Sequence, residues 1–394
     1  MELRIKSDIT YLDIEKAYKV LKRSSNVDLY IPATIQGKQF GIYPEIIQLI
    51  ITWSRMSEGK LFIHYDSSTP DLYDKIDLMF NRYWNFVAGC MGYKNGIFLS
   101  DGTDVSPIVA NIIKERINFL RNNESWKKGA NSFIPSVQHS ANPFPSAFYF
   151  SNGSLKSKKE IIELSKNILI DIAQNYKNNT STFVIEHYDK LIGEIIFELI
   201  ENTHYWTQSN YSNRTFSTGI RGLLFSSHQG NKETLLNNCK DDKLLFDYLS
   251  NLIDEDSTDN VIAEISVFDS GSGLASKWLK KEVSDCSKEE IYEAVIDCLI
   301  KNNTSDNSSS YERGFGLHNI MKLLGDRKGY LKLRTNGVKL VRDFKKKPFN
   351  GYVENSREDY DMDDFHKIQQ KTIPNYRTEG TMFSIFIPIQ INLQ

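Results

Sequence analysis

Apolar positions along the chain alternate between strand-like and helix-like periods, and the order of those periods predicts two α/β modules in succession. Residues 28–31 have strand character. Pro44 sits where a first helical turn tolerates its ring, and Ile46, Ile47, Leu49, Ile50, Trp53 and Met56 form an apolar face that Gly59 ends. Residues 60–65 then alternate, with Leu61, Ile63 and Tyr65 on one side. A helix from about Asp71 carries Leu72, Ile76, Met79, Phe80, Tyr83 and Val87. Ser106-Pro107 opens another, with Ile108, Val109, Ile112, Ile113, Ile117 and Leu120 inward. Residues 131–152 hold Pro135, Pro143 and Pro145 among serines, asparagines and aromatics. They read as a connection, which puts the boundary near residue 150.

Beyond that boundary the capping-box pattern Ser157-Lys-Lys-Glu160 precedes Ile161, Leu164, Ile168 and Ile172 at helical spacing. In residues 191–206 a buried stripe is predicted from Ile192, Ile195, Ile196, Leu199, Thr203 and Trp206. Glu194, Glu198 and Asn202 stack along a neighbouring face. A carboxylate one turn from a carboxamide suits divalent-metal chemistry, and a solvated polar face is the other reading. Val261, Ala263, Ile265 and Val267 share one side of a strand, and Asp269 continues their parity. That carboxylate emerges where an acceptor needs a donor, such as an adenine amino group. Gly271 and Gly273 would let backbone pass close to a base, although an ordinary Asp-Gly turn has the same residues.

Gly314 and Gly316 precede a helix with Leu317, Ile320, Met321 and Leu324 inward and Gly325 as its stop. Backbone amides at such a start suit phosphate oxygens. Residues 302–310 form a polar tract. Residues 330–342 read as a hairpin turning at Asn336-Gly337, and 343–376, with Lys345-Lys-Lys347, as a solvated loop or a partner-binding insertion. Thr381, Phe383, Ile385, Ile387 and Ile389 alternate as a last strand behind Gly380. Within 207–260 only 222–226 is strand-like, and the segment has no assigned role.

Taken in order, Glu198 to Asn202, Asp269-Ser-Gly-Ser-Gly273, Gly314-Phe-Gly-Leu317 and Gly380-Thr381 resemble the asparagine box and glycine boxes of the GHKL superfamily. Gyrase B subunits, heat-shock chaperone ATPases, histidine kinases and MutL-type repair proteins belong to it. The resemblance covers roughly residues 155 to 391. It implies a C-terminal α/β sandwich of the Bergerat type, with ATP and Mg²⁺ as cofactors. By the same resemblance Glu198 polarises the attacking water, Asn202 holds Mg²⁺, Asp269 reads adenine and Thr381 bonds near Asp269. The polar tract takes the place of the ATP lid, with Arg313 in reach of a γ-phosphate. Thr203-His-Tyr-Trp206 departs from the family, which often has an acid there.

The resemblance implies an ATPase whose nucleotide state gates partner binding. A kinase acting on a partner protein and a non-hydrolysing, ATP-gated binding module are the alternatives. His139 and His187 lack the context of a phosphoacceptor histidine.

Composition adds limits. Apolar and charged fractions of 40% and 25% are ordinary for a globular chain of 394 residues. A net charge of −2, from 48 basic and 50 acidic residues, does not indicate nucleic acid or an anionic membrane as partner. Cys90, Cys239, Cys286 and Cys298 are scattered without zinc-type spacing. The first residues carry charges where a signal peptide would be apolar, and the strongest apolar run, 46–53, is too short to span a bilayer. A cytoplasmic protein is therefore expected. No nucleophile or phosphate loop stands out in residues 1–150, where His64 reads as structural. That part is expected to recognise a protein partner, and a homodimer is compatible with the sequence.

Overall fold

The computed structural model describes the chain apart from residues 37–38, 65–70, 123–124, 129, 139–143, 174–177, 207–208, 213, 254–259, 301–314, 352–355, 370–375 and 390–394, and apart from the side chains of Lys128, 171–187 and Trp206. Its first module runs β1 (Glu2–Arg4), α1 (Tyr11–Arg23), β2 (Asp28–Pro32), α2 (Ile42–Met56), β3 (Leu61–His64), α3 (Leu72–Phe80), α4 (Tyr83–Gly92), β4 (Ile97–Leu99) and α5 (Ser106–Asn122). The four strands form a parallel sheet in sequential order. Thr10 starts α1 with a reciprocal cap, its hydroxyl accepting from the Asp13 amide while Asp13 accepts from the Thr10 amide at 3.2 Å. The single helix expected from Asp71 is two. Asp71 caps α3 by accepting from the Tyr73 amide at 2.7 Å, and the chain breaks at Asn81-Arg82, where Asn81 Oδ1 accepts from Trp126 Nε1 at 3.1 Å. His64 ends β3 with its Nδ1 3.2 Å from Ser100 Oγ.

The second part contains β5 (Trp126–Lys128), β6 (Asn131–Val137), α6 (Lys158–Ala173), α7 (Asn178–Trp206), β7 (Ile220–Gly230), α8 (Lys232–Asn237), α9 (Lys243–Ser250), β8 (Asn260–Asp269), α10 (Leu274–Leu279), α11 (Lys288–Leu299), α12 (Gly316–Arg327), β9 (Tyr330–Thr335), β10 (Val338–Asp343), β11 (Asp363–Asp364), α13 (Phe365–Gln369) and β12 (Thr381–Ile389). Its eight strands are antiparallel neighbours in the order β11-β10-β9-β12-β8-β7-β6-β5. The chain is thus mixed α/β, with one parallel and one antiparallel sheet.

Two expectations change here. Residues 131–137 are not part of a link: β6 pairs with β7 from Asn131 to Val137, so the larger sheet begins before residue 150, at Trp126. Prolines suggested a connection, but Pro135 lies opposite Gly222 and is accommodated in a strand. Residues 343–376 are not merely a solvated loop. Among the described ones, Tyr360, Met362, Phe365 and Tyr376 are buried, and β11 pairs with β10.

Strand parity divides the sheet as expected. Val261, Ala263, Ile265 and Val267 of β8 and Phe383, Ile385, Ile387 and Ile389 of β12 join one core with α6, α7, α11 and α12. The opposite face meets the first module: Leu224, Phe268 and Met382 share a core with Ile46, Ile50, Trp53 and Phe86. The two parts therefore share packing across the sheet.

That shared layer is also charged. Arg334 of β9 pairs with Glu15 of α1, and its Nε lies 2.9 Å from Glu45 of α2, which also takes Lys339 at 2.8 Å. Glu15 further meets His366 at 2.9 Å and accepts from the Tyr376 hydroxyl. Burial works to raise the Glu15 carboxyl, but Arg334 and then His366 hold it well below the usual carboxylate range. No helix among the described residues is long and apolar enough to cross a membrane.

Candidate functional site

Helix α7 spans 29 residues and lays Ile192, Ile195, Ile196 and Leu199 into the core. The same twist leaves Glu198 and Asn202 along the flank that meets α12. Asn202 donates its Nδ2 to the Glu198 carbonyl at 2.8 Å, which leaves Oδ1 as the end able to accept or ligate. The Glu198 carboxylate is buried, and its Oε1 receives Lys158 Nζ at 3.3 Å and Asn319 Nδ2 at 3.2 Å. Its Oε2 faces Gly316. A methyl group on Gly316 would stand 3.0 Å from Glu198 Oε2 and 3.1 Å from Asn202 Nδ2, so this glycine lets the start of α12 reach both side chains. Leu317, next along, is buried in the core. The first amides of α12 thus open beside a carboxylate and a carboxamide.

Asp269 occupies the end of β8, on the helix-facing side, as its parity predicts. Its Oδ1 accepts from the Gly271 amide at 2.7 Å, and Arg221 of β7 stands opposite in register. Burial lifts its carboxyl to about 6, against the pull of the Gly271 amide, Thr381 and Arg221. Gly380 seals the neighbouring strand: its amide donates to the Gly271 carbonyl at 2.9 Å, its φ is +74°, and a Cβ there would meet the Asp269 carbonyl oxygen at 1.9 Å. Only glycine fits. The resemblance implied that Thr381 bonds near Asp269; Thr381 is among the groups that pull the Asp269 carboxyl down. Its hydroxyl also meets Thr335 Oγ1 at 3.3 Å.

After Asp269 the turn is held from the hairpin. Leu274 donates its amide to Thr335 Oγ1 at 3.0 Å, and the Ala275 amide donates to Asn336 Oδ1 at 2.9 Å, so α10 starts on side chains of β9 and its turn. Gly273, at φ +84°, precedes that start. Asn336 and Gly337, at φ 49° and 81°, make the tight turn that their types suggest.

The Arg221 charge acts on Asp269 and on His204 of α7, and its guanidinium donates to the Tyr149 hydroxyl at 2.8 Å. Burial, then Arg221, lower His204 to about 4, which keeps its ring neutral at ordinary pH. Glu198, Asn202, Gly316 and Leu317 gather at one point, and Asp269, Gly271, Gly380 and Thr381 at another on the same face. Gly314, Arg313 and residues 302–310 lie outside the described residues, as do His139 and the side chain of His187.

Sequence reasoning missed Lys158, Asn319, Arg221 and Asn336 as members of the site. Lys158 and Asn336 stood in motifs already used for a helix start and a turn. Their partners are 40 and 60 or more residues away, a distance no local pattern spans. Among the described residues, no cluster of three His, Cys, Asp or Glu side chains could hold a metal ion by itself. No protein-family model matches the chain, and no curated protein or solved structure matches it significantly.

Proposed function

We propose that the chain binds ATP with Mg²⁺ in a Bergerat-type pocket of the GHKL kind, hydrolyses it, and uses the nucleotide state to gate a protein partner. The observation that carries this reading is the meeting of Glu198, Asn202 and the start of α12, on the face whose strand end bears Asp269 and Thr381. Asp269 would accept from the adenine amino group, which supplies the donor that a buried carboxylate needs. The α12 amides would receive phosphate oxygens.

A Mg²⁺ that keeps most of its ligands on phosphate and water needs little more from protein than one oxygen. Asn202 Oδ1 fits that need, because its nitrogen is already taken by the Glu198 carbonyl. Bound there, the metal would neutralise phosphate charge. Glu198 offers Oε2 to orient and deprotonate water, while Lys158 and Asn319 fix the carboxylate through Oε1.

The same Lys158 contact favours a second reading. In it Lys158 withholds Glu198 from water, and the chain is an ATP-gated binding module without turnover. Release of inorganic phosphate from ATP and Mg²⁺ by the intact chain, alone and with candidate partners, separates the two.

Asp269 makes the binding pH-dependent. With a folded value of about 6 against 3.8 for the free side chain, the folded chain keeps this proton where the unfolded chain has lost it. Stability from this group is therefore full below the lower value and declines as pH rises through the higher one. Nucleotide affinity runs the other way, because the ionised carboxylate is the stronger acceptor for the adenine amino group. Titration of a fluorescent ATP analogue should show constant affinity well above pH about 6 and a decline of about tenfold in all below it. Flat affinity across that window would remove Asp269 from the proposed role.

A further inference from the structure

The largely apolar helix α2 carries polar side chains that its core face does not call for, three of them turned to the second part. Gln48, Thr52 and Arg55 are spaced by four and three residues and so share one face of α2. Each bonds backbone of the second part, and the Thr52 hydroxyl also donates to the Gln48 carbonyl at 2.8 Å. Gln48 Nε2 donates to the Arg334 carbonyl at 3.1 Å and to the Glu379 carbonyl at 3.5 Å. Thr52 Oγ1 accepts from the Glu379 amide at 3.0 Å. Arg55 Nη2 donates to the carbonyls of Thr218 at 2.5 Å and Ser270 at 3.2 Å, while its guanidinium lies 4.1 Å from the centre of the Phe216 ring.

The backbone groups they hold are next to the candidate site. Ser270 follows Asp269, and Glu379 precedes Gly380 and Thr381. Gly380 and Gly271 bond to one another, so the α2 contacts hold the residue that precedes each member of that pair. We infer that Gln48, Thr52 and Arg55 are positioning residues for the nucleotide site, through which the packing of α2 and the occupancy of the site are linked. This rests on the ATP-binding reading above. A partner that shifts α2 changes ATP affinity, and by reciprocity ATP changes the affinity for that partner by the same factor.

The test uses the full chain, a fluorescent ATP analogue with Mg²⁺, and amide hydrogen exchange, all well below the thermal midpoint. In the parent, ATP with Mg²⁺ should slow exchange in residues 42–56. Thr52→Val keeps the shape and removes the acceptor of the Glu379 amide. It should weaken nucleotide binding about tenfold and abolish the ATP-dependent protection of α2, whereas Thr52→Ser restores both. Arg55→Ala, at the end of the helix, should reproduce the Val pattern and serves if Thr52→Val does not fold. A variant that lowers only the thermal midpoint, with parental affinity and protection, overturns the inference and leaves the ATP reading standing. A parent that binds no ATP overturns both.

Discussion

Replacing Glu198 with alanine is expected to lower ATP turnover by about 10²–10⁴-fold, the contribution of a positioned base, while nucleotide binding persists. The separation follows from where the side chain sits. Glu198 faces the start of α12 through Oε2, and none of the strand-end groups around Asp269 depends on it. Glu198→Gln keeps the acceptor for Asn319 and removes the base, so it should be as slow as alanine. Steady-state phosphate release at saturating ATP measures the loss. Parental turnover in either variant would remove Glu198 from the chemistry.

The second large effect is on stability. Glu45 is nearly fully buried and is the shared partner of Arg334 and Lys339, whose side chains are each 1% exposed. Those contacts are ionic, because their angles fall outside hydrogen-bond geometry. Alanine at position 45 removes the acid that the two buried cations share, taking from Lys339 the carboxylate 2.8 Å away and leaving Arg334 with Glu15 alone. Breaking a buried pair from one side typically costs about 3–5 kcal/mol. A urea denaturation series should show a loss of that order for Glu45→Ala, with Arg334 retaining Glu15 as its remaining acid. A change below about 1 kcal/mol, the scale of an exposed pair, would mean that water reaches the cluster.

Local pattern carried much of this architecture. Parity placed Asp269 on the helix-facing side of β8, and the alternation from Thr381 to Ile389 marked out β12, which pairs with β8 in the fold. Period and capping residues located α2, α5 and α6 within a few residues, and the end of α7, whose start lies at Asn178 rather than near Leu191. Short or pairing-dependent elements were not legible: β1 and β4 have three residues each, too few for a period, and β6 carries a proline. The insertion after β10 read as polar because its buried residues, Tyr360, Phe365 and Tyr376, are isolated among charged neighbours.

The candidate site was legible where chemistry and chain order coincide. Glu198, Asn202, Asp269 and Thr381 could be named because each ends or faces an element whose period was clear. The supports around them were not, since Lys158, Arg221, Asn319 and the polar face of α2 act on groups far along the sequence. Gln48, Thr52 and Arg55 are instructive: within an apolar helix they read as polar interruptions, and only their backbone partners give them a purpose.

The claim that all of this serves is that Asp269 and Asn202 belong to one adenine-nucleotide site. Calorimetric titration of the parent and of Asp269→Asn with ATP and Mg²⁺ tests it most directly. The parent should give a saturable heat with one nucleotide per chain, and the variant should bind about tenfold or more weakly, as loss of a charged acceptor dictates. No saturable heat in the parent, or equal affinity in the two proteins, would contradict it.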